Sequence, residues 1–476
     1  MFTEGFIINS QTDQPITLQT KLAILATALL SFCGVLLETS MNVTFPELSK
    51  LFNVPLDIIQ WITTGYLLVV TITMSMTAFL LKKFPIKNLF LVAVLLFIVG
   101  DVLSVIATNF PILLAGRLIQ AGATGLSMPM MYHVIFNTIP GYKIGTYIGI
   151  ASMVISFAPA LGPTYGGALS YLTSWRYIFV IVLPLAIVAA FLGYKTIDLK
   201  PQGIKKKFDF FALLLMSVTF FSFVWSASRF GTKDMQLLNW LLPLIIGLVA
   251  LVAFIFVNQA GDSELISFKP LTNRVVALDA FTYMSLMFIN IGISFVIPIY
   301  AEIVFGVSPL VAGMILLPGS IIGAVTSPLS GMVYDKYGAF KPILTGICTM
   351  TLAMILFCVS ESWATSIWLT VLFTILRFGV NLCFSNTISN AQANAPRLQT
   401  ADISSTFNML QQYAGSLGTT ILASVISLHQ NQTTNHHDYV AATMTGGRID
   451  YLILLVLTVS LVAIGVYNWN LQREKK

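Results

Sequence analysis

The sequence predicts an all-α integral membrane protein with fourteen transmembrane helices, arranged as two six-helix bundles with two helices inserted between them. Three observations carry this prediction: the composition, the number of long apolar stretches and the distribution of basic residues. Of the 476 residues, 57% are hydrophobic and only 9% are charged, against about 25% charged in ordinary soluble domains. The mean hydropathy of +0.86 leaves too few polar side chains to cover the core of a soluble protein of this length.

Fourteen apolar stretches have about the 20 residues that a helix needs to cross a bilayer. They are roughly 22–46, 57–80, 87–108, 110–139, 145–169, 177–196, 210–228, 239–257, 275–301, 309–333, 340–360, 363–392, 403–428 and 450–470. An even number of spans puts both termini on the same side of the membrane.

Basic residues favour one orientation of these spans. With the N-terminus in the cytoplasm, the cytoplasmic segments carry eighteen Lys and Arg residues, the external segments carry five, and two arginines remain in the membrane. The positive-inside rule then predicts a multi-pass cell-membrane protein with both termini cytoplasmic. Glu4, Asp13 and Lys21 interrupt the first residues, so we expect no cleaved secretory signal.

The order of the segments predicts a repeated organisation. The segment 309–341 is similar to 57–87, since both contain an apolar helix rich in small residues followed by a short basic turn. Many secondary transporters are built from such repeats, with the substrate site between the halves near the midplane. The predicted divisions are a cytoplasmic tail, a six-helix bundle, a basic linker with two inserted helices, a second six-helix bundle and a second tail: 1–21, 22–199, 200–262, 263–471 and 472–476.

The fifth predicted span is rich in small residues and proline. Small residues let helices approach closely, and proline bends a helix. A general packing surface would explain the composition as well as a transport motif would. The residues concerned are Gly149, Ala158, Gly162, Pro163, Gly166 and Gly167.

Three charged residues fall inside predicted spans at one level of the membrane. At 1.5 Å per residue, Glu38 lies about 24 Å from the cytoplasmic end of its span, and Asp101 lies about 21 Å above Lys87. Arg117 lies about 10 Å from the external start of its span. Charged side chains at this depth are costly and indicate function by default, although a structural ion pair is the alternative. We expect Glu38 and Arg117 to be partners.

These residues stand in motifs that resemble the major facilitator superfamily, and within it the fourteen-helix drug:proton antiporters of the quaternary-ammonium and lincomycin exporter type. The glycine pattern of span five resembles the antiporter signature, with Ala158 in place of the usual glycine. Arg117 and Gln120 fit the family's RxxQ motif. Glu38 resembles the acidic residue of span one, but it is Glu rather than Asp and precedes Asn42 by four residues instead of five.

The resemblance implies roles for these groups. Glu38 and Arg117 would couple transport to protons, and Asp101 would support Arg117 or an external gate, because the third helix of this family is usually peripheral. A buried carboxyl group can exchange its proton for a cationic partner. Proton and substrate would then exclude each other, which together with two-state rocking of the halves suffices for antiport.

A cytoplasmic gate is implied by the loop after span ten, which fits the family's GxxxDxxGxxK/R pattern. The corresponding loop at 81–87 lacks the aspartate and the glycine, so the predicted gate is asymmetric. A simple charged turn is the alternative. The gate residues are Gly331, Asp335, Lys336, Gly338 and Lys341.

Polar residues inside the spans are candidates for the substrate pocket, although hydrogen bonding between helices would account for them equally well. They are Asn42, Tyr66, Gln120, Asn290, Arg377, Asn381, Gln411 and Gln412. Asp279 stands near a predicted cytoplasmic helix end, where capping or hydration explains it at least as well as transport. His133 lies in a span, and a solvated external loop is the favoured interpretation of His429, His436 and His437.

The sequence therefore predicts a proton-coupled multidrug exporter of small amphipathic compounds that works by alternating access as a monomer, without a cofactor, a metal or a nucleic-acid partner.

 

Other classes of function are less well supported by the residues. The sequence contains no Gly-Lys dipeptide and therefore no P-loop lysine, which argues against direct ATP hydrolysis. An enzyme would need clustered nucleophiles, bases or metal ligands, and a channel would need a pore ring or selectivity filter. The alternatives that stay open on the same fold are export of a native metabolite, lipid or peptide, and proton-coupled uptake of a nutrient.

Overall fold

The computed structural model describes residues 16–140, 143–199, 208–229, 236–261, 265–360, 363–396, 399–431 and 436–474. Within these ranges every regular element is a helix, and fourteen helices have 19 residues or more. They are α1 (Leu18–Ser40), α2 (Trp61–Lys83), α3 (Ile86–Val105), α4 (Phe110–Thr138), α5 (Ile144–Leu172), α6 (Tyr177–Thr196), α7 (Phe210–Ser228), α8 (Leu237–Ala260), α9 (Arg274–Val304), α10 (Pro309–Tyr337), α11 (Phe340–Ser360), α12 (Ser366–Ala393), α13 (Thr400–Gln430) and α14 (His436–Glu474).

Twelve of the described helices are long and apolar enough to cross a membrane. The other two long helices, α4 and α13, have 29 and 31 residues, so length alone does not exclude them. Both carry many polar side chains, which lowers their hydropathy below that of a typical membrane span. The predicted number of fourteen spans therefore stays a prediction.

The first predicted span is divided in the structure. Helix α1 is followed by a 3₁₀ turn at Met41–Thr44 and a short helix at Phe45–Phe52. Pro46 occupies the first turn of that short helix, where its missing N–H costs no hydrogen bond. A one-turn helix, Leu56–Ile59, then leads into α2.

The last helix differs most from its prediction, because α14 begins at His436 rather than near 450. Most of the polar segment expected to form an external loop is helical. Packing against α13 supports this extension: the amide of Gln430 donates to the hydroxyl of Thr443 at 2.8 Å. A Cβ on Gly446 would lie 2.7 Å from the Cα of Ile426, so glycine permits the close approach of the two helices.

The long helices pack as two groups with a pair beside them. Helix α1 packs against α4, α5 and α6, and α3 packs against α4 and α6. Helix α9 packs against α12, α13 and α14, and α11 packs against α12 and α14. We call these groups, α1–α6 and α9–α14, the N-half and the C-half. Helices α7 and α8 pack against each other, and α7 also contacts α2 and α13. The basic segment 200–207 lies outside the described residues, and the predicted domain boundaries stay predictions.

The two halves meet where α5 packs against α10 and α2 packs against α13. Several hydrogen bonds between them lie at the end of the bundle where α1 leads into α2, which we call the α1–α2 end. There the hydroxyl of Thr64 lies 3.0 Å from the hydroxyls of both Thr419 and Thr420. Ser416 donates to the carbonyl oxygen of Thr64 at 3.1 Å.

The opposite end, where α2 leads into α3, is different. A Cβ on Gly149 of α5 or on Gly331 of α10 would have no heavy atom within 4 Å. Ile150 and Met153, also in this part of α5, are 53% and 56% exposed. The halves are therefore joined at the α1–α2 end and have open surfaces on α5 and α10 at the α2–α3 end.

Candidate functional site

The glycine motif of α5 packs first against α1. A Cβ on Gly162 would collide with the side chain of Thr39, and a Cβ on Gly166 would collide with the carbonyl group of Ser40. Ala158, which stands where the resemblance expects glycine, is fully buried. Glycine is needed at these contacts because backbone and side-chain atoms of α1 fill the space that a Cβ would take.

The same motif also packs against α10 of the other half. A Cβ on Gly167 would collide with the carbonyl oxygen of Pro309, and a Cβ on Gly313 would collide with that of Pro163. The two glycines thus form a reciprocal backbone contact, which we call the α5–α10 contact. Gly149 belongs to the predicted motif but takes no part in the α5–α10 contact, since a Cβ on it would have no heavy atom within 4 Å. Gly313 was not predicted, although it lies in the segment whose small residues suggested the repeat.

Glu38 lies in the last turn of α1, facing the interior of the N-half. Its side chain is only 6% exposed, and its Oε2 atom has no hydrogen-bond partner among the described residues. One turn earlier, α1 lies so close to α4 that a Cβ on Gly34 would collide with Thr124. The hydroxyl of Tyr66 donates to the carbonyl oxygen of Gly34 at 3.0 Å. Close packing of α1, α2 and α4 therefore fixes the position of Glu38.

Arg117 is fully buried in α4 and is held by neutral groups. Its Nη1 atom donates to Oε1 of Gln120, and Nε2 of Gln120 donates to Oδ1 of Asp101. The guanidinium carbon lies 4.1 Å from the centre of the Tyr66 ring, in position for a cation–π interaction. In the described part of the chain, Nε and Nη2 of Arg117 and Oδ2 of Asp101 have no hydrogen-bond partner.

The predicted partnership of Glu38 with Arg117 takes the form of an electrostatic interaction in the structure. The charge of Arg117 is close enough to act on Glu38 electrostatically, but among the described residues the two side chains form no ion pair. Instead Gln120, predicted as a pocket residue, bridges Arg117 to Asp101. We call Glu38, Tyr66, Asp101, Arg117 and Gln120 the N-half cluster.

Asp101 enters this cluster because α3 and α4 approach closely beside it. A Cβ on Gly100 would lie 2.6 Å from the carbonyl oxygen of Gly116, and a Cβ on Gly116 would lie 2.8 Å from that of Gly100. Asp101 is fully buried as a result. The third helix therefore contributes a carboxylate to the interior of the N-half and is not merely peripheral.

A second arginine lies in the C-half with different partners. Nη1 of Arg377 donates to Oδ1 of Asn290, and Nδ2 of Asn381 donates to the carbonyl oxygen of Arg377 at 2.9 Å. A Cβ on Gly323 would lie 2.5 Å from Nδ2 of Asn381, so glycine lets α10 pack against this part of α12. We call Asn290, Arg377 and Asn381 the C-half cluster; all three side chains are partly exposed.

Three further pocket candidates lie elsewhere. Asn42 is buried in the 3₁₀ turn after α1, where its Oδ1 accepts from the hydroxyl of Thr63 at 2.9 Å. Gln411 accepts from the hydroxyl of Tyr283 at 2.8 Å. Gln412 is buried, and its Nε2 lies 3.9 Å from the sulfur of a methionine in α4, so it contacts the N-half. The structure does not bring these residues together with either arginine.

The predicted cytoplasmic gate coincides with the end of α10. Gly338 has a φ of +76°, a conformation that glycine adopts without strain, and it ends the helix. The Nζ atoms of Lys336 and Lys341 lie 5.2 and 4.6 Å from the centre of the Tyr337 ring. The side chain of Asp335 lies outside the described part, so its proposed gating role stays a prediction.

Asp279 is a buried structural carboxylate rather than a hydrated or capping one. Its two oxygens accept from Nδ2 of Asn390 at 2.7 Å and from Nδ2 of Asn468 at 2.8 Å. The start of α9 is capped instead by Asn273, which accepts from the backbone N–H of Val275. Asp279 thus ties α9 to α12 and α14, a role that its position near a predicted helix end did not indicate.

The histidines also differ from the prediction. His429 lies in the last turn of α13, with its ring Nδ1 3.0 Å from the carbonyl oxygen of Val425, and not in a loop. His133 is partly buried in α4. The side chains of His436 and His437 lie outside the described part. Among the residues described, no group of three or more His, Cys, Asp and Glu could hold a metal ion.

Sequence reasoning missed several buried carboxylate groups, two of which lie in the C-half. Asp450 of α14 is fully buried, and neither of its oxygens has a hydrogen-bond partner within the described ranges. Oε1 of Glu302, near the end of α9, is likewise buried without a partner there. Asp450 stood at the predicted start of its span and Glu302 just beyond the end of its own, so neither was counted among intramembrane acids.

Structures of transporters share this arrangement of helices. A nucleoside transporter, NupG, superposes with a TM-score of 0.64 over 95% of this chain and 100% of its own, at 13% sequence identity. An auto-inhibited peptide transporter of the POT family superposes with a TM-score of 0.66 over 95% of this chain and 96% of its own, at 13% identity. At such identities the likeness shows the fold alone.

Sequence comparisons give closer relatives. An uncharacterised MFS-type transporter of Bacillus subtilis, YcnB, is 29% identical over 90% of each chain. The lincomycin resistance protein LmrB of Bacillus subtilis is 29% identical over 87% of this chain and 85% of its own, and the riboflavin transporter RibZ of Clostridioides difficile is 25% identical over 87% and 90%. The model of the Major Facilitator Superfamily matches residues 27–419. The chain therefore belongs to the Major Facilitator Superfamily and is a multi-span membrane transporter, not an enzyme.

Proposed function

We propose that this transporter is a proton-coupled antiporter that exports small amphipathic compounds by alternating access. The observation that carries the proposal is Glu38, a buried carboxyl group whose Oε2 has no hydrogen-bond partner in the described structure. It lies beside the buried cation Arg117, on the helix that packs against the glycine motif of α5. Intramembrane acids in such positions commonly belong to proton relays.

The chemistry of coupling follows from the charge of Glu38. Protonation removes its negative charge, which changes the electrostatic balance around Arg117 and Asp101. A cationic substrate, or the cationic part of one, would be attracted by the ionised carboxylate and released on protonation. Because each ligand favours a different charge state, proton and substrate compete, and the movement of the halves is tied to that competition.

Alternating access requires two conformations of the halves, and the described one has them joined at the α1–α2 end. We propose that fourteen helices cross the membrane, including α4 and α13, because each of these packs against spanning helices of its own half. Basic residues such as Lys82, Lys83 and Lys87 lie at the α2–α3 end, which we therefore assign to the cytoplasm, with both termini. The structure is then inward-facing.

The proposed energy source is the proton gradient alone, with no cofactor, and the proposed functional unit is a monomer. The similarity to the lincomycin resistance protein LmrB supports drug export. The similarity to the riboflavin transporter RibZ favours a second candidate, transport of a native metabolite such as a vitamin, with drug resistance as a side effect. Uptake by symport is the less favoured direction of such transport.

The test is transport by purified protein in proteoliposomes with an imposed pH gradient, using ethidium, ciprofloxacin and lincomycin as probes. Glu38→Gln removes the proposed proton carrier but keeps its size and its hydrogen-bonding capacity. Glu302→Gln is the matched control, since it neutralises another carboxyl group with a buried oxygen, in the other half. We expect gradient-driven transport in the wild type and in Glu302→Gln, and its loss in Glu38→Gln with counterflow exchange retained.

Other outcomes separate the candidates. Gradient-driven transport that survives in Glu38→Gln would contradict the assignment of this residue. Transport of riboflavin, but of none of the three drugs, would favour the native-metabolite candidate. Accumulation of a probe on the side from which protons flow identifies antiport, whereas accumulation with the flow of protons identifies symport.

A further inference from the structure

We infer that the C-half cluster binds the anionic group of the transported substrate, so that the substrates include amphipathic carboxylates and zwitterions. This inference rests on the proposed function as an exporter of small amphipathic compounds, for which it names a substrate class. It concerns Asn290, Arg377 and Asn381, whose roles are separate from proton coupling by Glu38.

The first argument is the balance of charge around the two arginines. Arg117 has two carboxylate groups in its cluster, Glu38 and Asp101. The hydrogen-bond partner of Arg377 is the neutral amide of Asn290, and no carboxylate among the described residues bonds to its guanidinium. A cation in a membrane-spanning helix is stabilised by an anion or by water in a cavity. An anionic substrate group would supply the countercharge that the C-half cluster lacks.

The second argument is the hydrogen-bonding capacity that remains on Arg377. Its Nη1 is occupied by Asn290, whereas Nε is buried and has no partner in the described ranges. The side chain as a whole is partly exposed, so a ligand would have to approach the guanidinium from its exposed side. Arginine presents its donors as a planar fork that suits a carboxylate, with two parallel hydrogen bonds that are stronger than neutral ones.

The surroundings of Arg377 suit an amphipathic ligand. The guanidinium carbon lies 5.9 Å from the centre of the ring of Phe373, a buried apolar side chain one helical turn away. Asn290 and Asn381 add amide groups on either side, from α9 and from the next turn of α12. Ligand pockets commonly combine apolar walls with a few such polar groups that fix the orientation of the ligand.

The third argument is the position of the cluster. Arg377 is the twelfth of the 28 residues of α12, and therefore lies near the middle of the helix. Substrate sites of transporters built from two halves lie near the midplane. Glu38 lies in the opposite half, so one zwitterionic molecule could place its anion on Arg377 and its cation toward the N-half cluster. A structural role, in which Arg377 only ties α12 to α9, is the competing explanation.

The experiment compares each of four amphipathic carboxylates with its own ethyl ester, which lacks the negative charge. The carboxylates are ciprofloxacin, norfloxacin and two others. Binding to purified protein in detergent is measured by equilibrium dialysis. We expect the wild type to bind the acids more tightly than the esters. In Arg377→Gln the acids should lose about 10-fold to 100-fold in affinity, as expected for the loss of a charge-assisted pair, and the esters should change less than about threefold.

Two further variants distinguish binding from structure. Arg377→Lys keeps the charge without the planar fork, and should restore part of the preference for acids. Asn290→Asp places a carboxylate on Nη1 and should abolish the preference as strongly as Arg377→Gln does, although Arg377 is unchanged. A merely structural arginine would predict the same loss for acids and esters in Arg377→Gln, and no specific loss in Asn290→Asp.

The inference is overturned if no acid binds the wild type more tightly than its ester, or if Arg377→Gln leaves the ratio of acid to ester affinity unchanged. Gradient-driven transport of ethidium, a cation without an acidic group, is measured on the same variants. Because ethidium does not need the anion site, its transport tests the proposed proton-coupled function separately. A cooperative thermal-unfolding transition in Arg377→Gln shows that this variant is folded.

Discussion

The N-half and the C-half each carry an arginine in a helix that runs in the same direction, but the two arginines have different partners. Arg117 is linked through Gln120 to Asp101, has Tyr66 against its guanidinium and lies within electrostatic range of Glu38. Arg377 is bonded to the amide of Asn290 and is partly exposed. The N-half cluster thus contains two carboxyl groups beside its cation, whereas in the C-half cluster no carboxylate is hydrogen-bonded to the cation.

In the account proposed above, this difference separates proton coupling in the N-half from binding of the substrate's anionic group in the C-half. A set of charges that includes two carboxyl groups can take up and release a proton without a ligand. A lone cation needs a ligand to complete it. In the proposed mechanism the repeated helices supply equivalent positions, and the residues at those positions would let the N-half handle protons and the C-half bind substrate.

The largest effect should come from breaking the α5–α10 contact, on which both halves depend. Gly167→Val would place a side chain against the backbone of Pro309, which belongs to the other half. We expect transport of both ethidium and ciprofloxacin to fall by more than about tenfold, because overpacking of a close contact typically costs about 1–3 kcal/mol. Initial rates in proteoliposomes measure this.

Gly149→Val is the matched control for that substitution, since it lies in the same motif but in open space. Its rates should stay within about twofold of the wild type. The prediction is contradicted if Gly167→Val transports as fast as Gly149→Val. It is also contradicted if only one of the two probes is affected, because transport of both probes should depend on the α5–α10 contact.

The largest effect on stability, as opposed to transport, should separate the two arginines. Arg117→Gln leaves the carboxylates of Glu38 and Asp101 without their cation, and removal of one partner from a buried set of charges typically costs about 3–5 kcal/mol. Arg377→Gln leaves no unpaired carboxylate and should cost about 1 kcal/mol, as for a single hydrogen bond. Thermal unfolding in detergent, monitored by intrinsic fluorescence, compares the two variants.

Adding Asp101→Asn to Arg117→Gln should recover part of the lost stability, because it removes one of the unpaired charges. The same addition to Arg377→Gln should bring no recovery, since Asp101 belongs to the other half. Equal destabilisation by the two arginine substitutions would mean that the charges of the N-half do not stabilise one another.

Asp101→Asn alone tests how far the proton-coupling set extends beyond Glu38. Its side-chain oxygen can still accept the hydrogen bond from Gln120, so the packing of α3 against α4 is kept. We expect gradient-driven transport of ethidium to fall by about tenfold, which corresponds to the loss of about 1.4 kcal/mol from a charge-assisted hydrogen bond. An unchanged rate would restrict proton coupling to Glu38 and Arg117.

The smallest effect should come from two tyrosine hydroxyl groups. Tyr66→Phe removes hydrogen bonds to Gly34 and Thr124, and Tyr283→Phe removes one to Gln411. Each should cost about 1 kcal/mol of stability. Only Tyr66→Phe should shift the pH dependence of transport, because only Tyr66 lies against Arg117. A shift of similar size in Tyr283→Phe would contradict the separation between the halves.

The membrane class, most helices and the α5 motif could be predicted from the sequence because they depend on local composition. Long apolar stretches locate helices directly, and glycines in a helix indicate a close contact without telling which helix is contacted. The extension of α14 could not be predicted, since 436–449 is polar and its helix is held by tertiary packing against α13.

The site was predicted in part for the same reason. Arg117 and Gln120 are three residues apart on one helix, so their hydrogen bond is a local feature. The bridge from Gln120 to Asp101 depends on the approach of α3 to α4 at Gly100, which no spacing within one helix reveals. The partner of Arg377 lies on α9, almost ninety residues away in sequence, so the spacing within one helix could not predict this hydrogen bond either.

The most direct test of the central claim is proton release on substrate binding, measured with a pH indicator in weakly buffered detergent solution. Ciprofloxacin is added to the wild type, to Glu38→Gln and to Arg377→Gln at concentrations that saturate each variant. The account predicts proton release from the wild type and from saturated Arg377→Gln, and none above background from Glu38→Gln. Equal proton release from Glu38→Gln and from the wild type would contradict it.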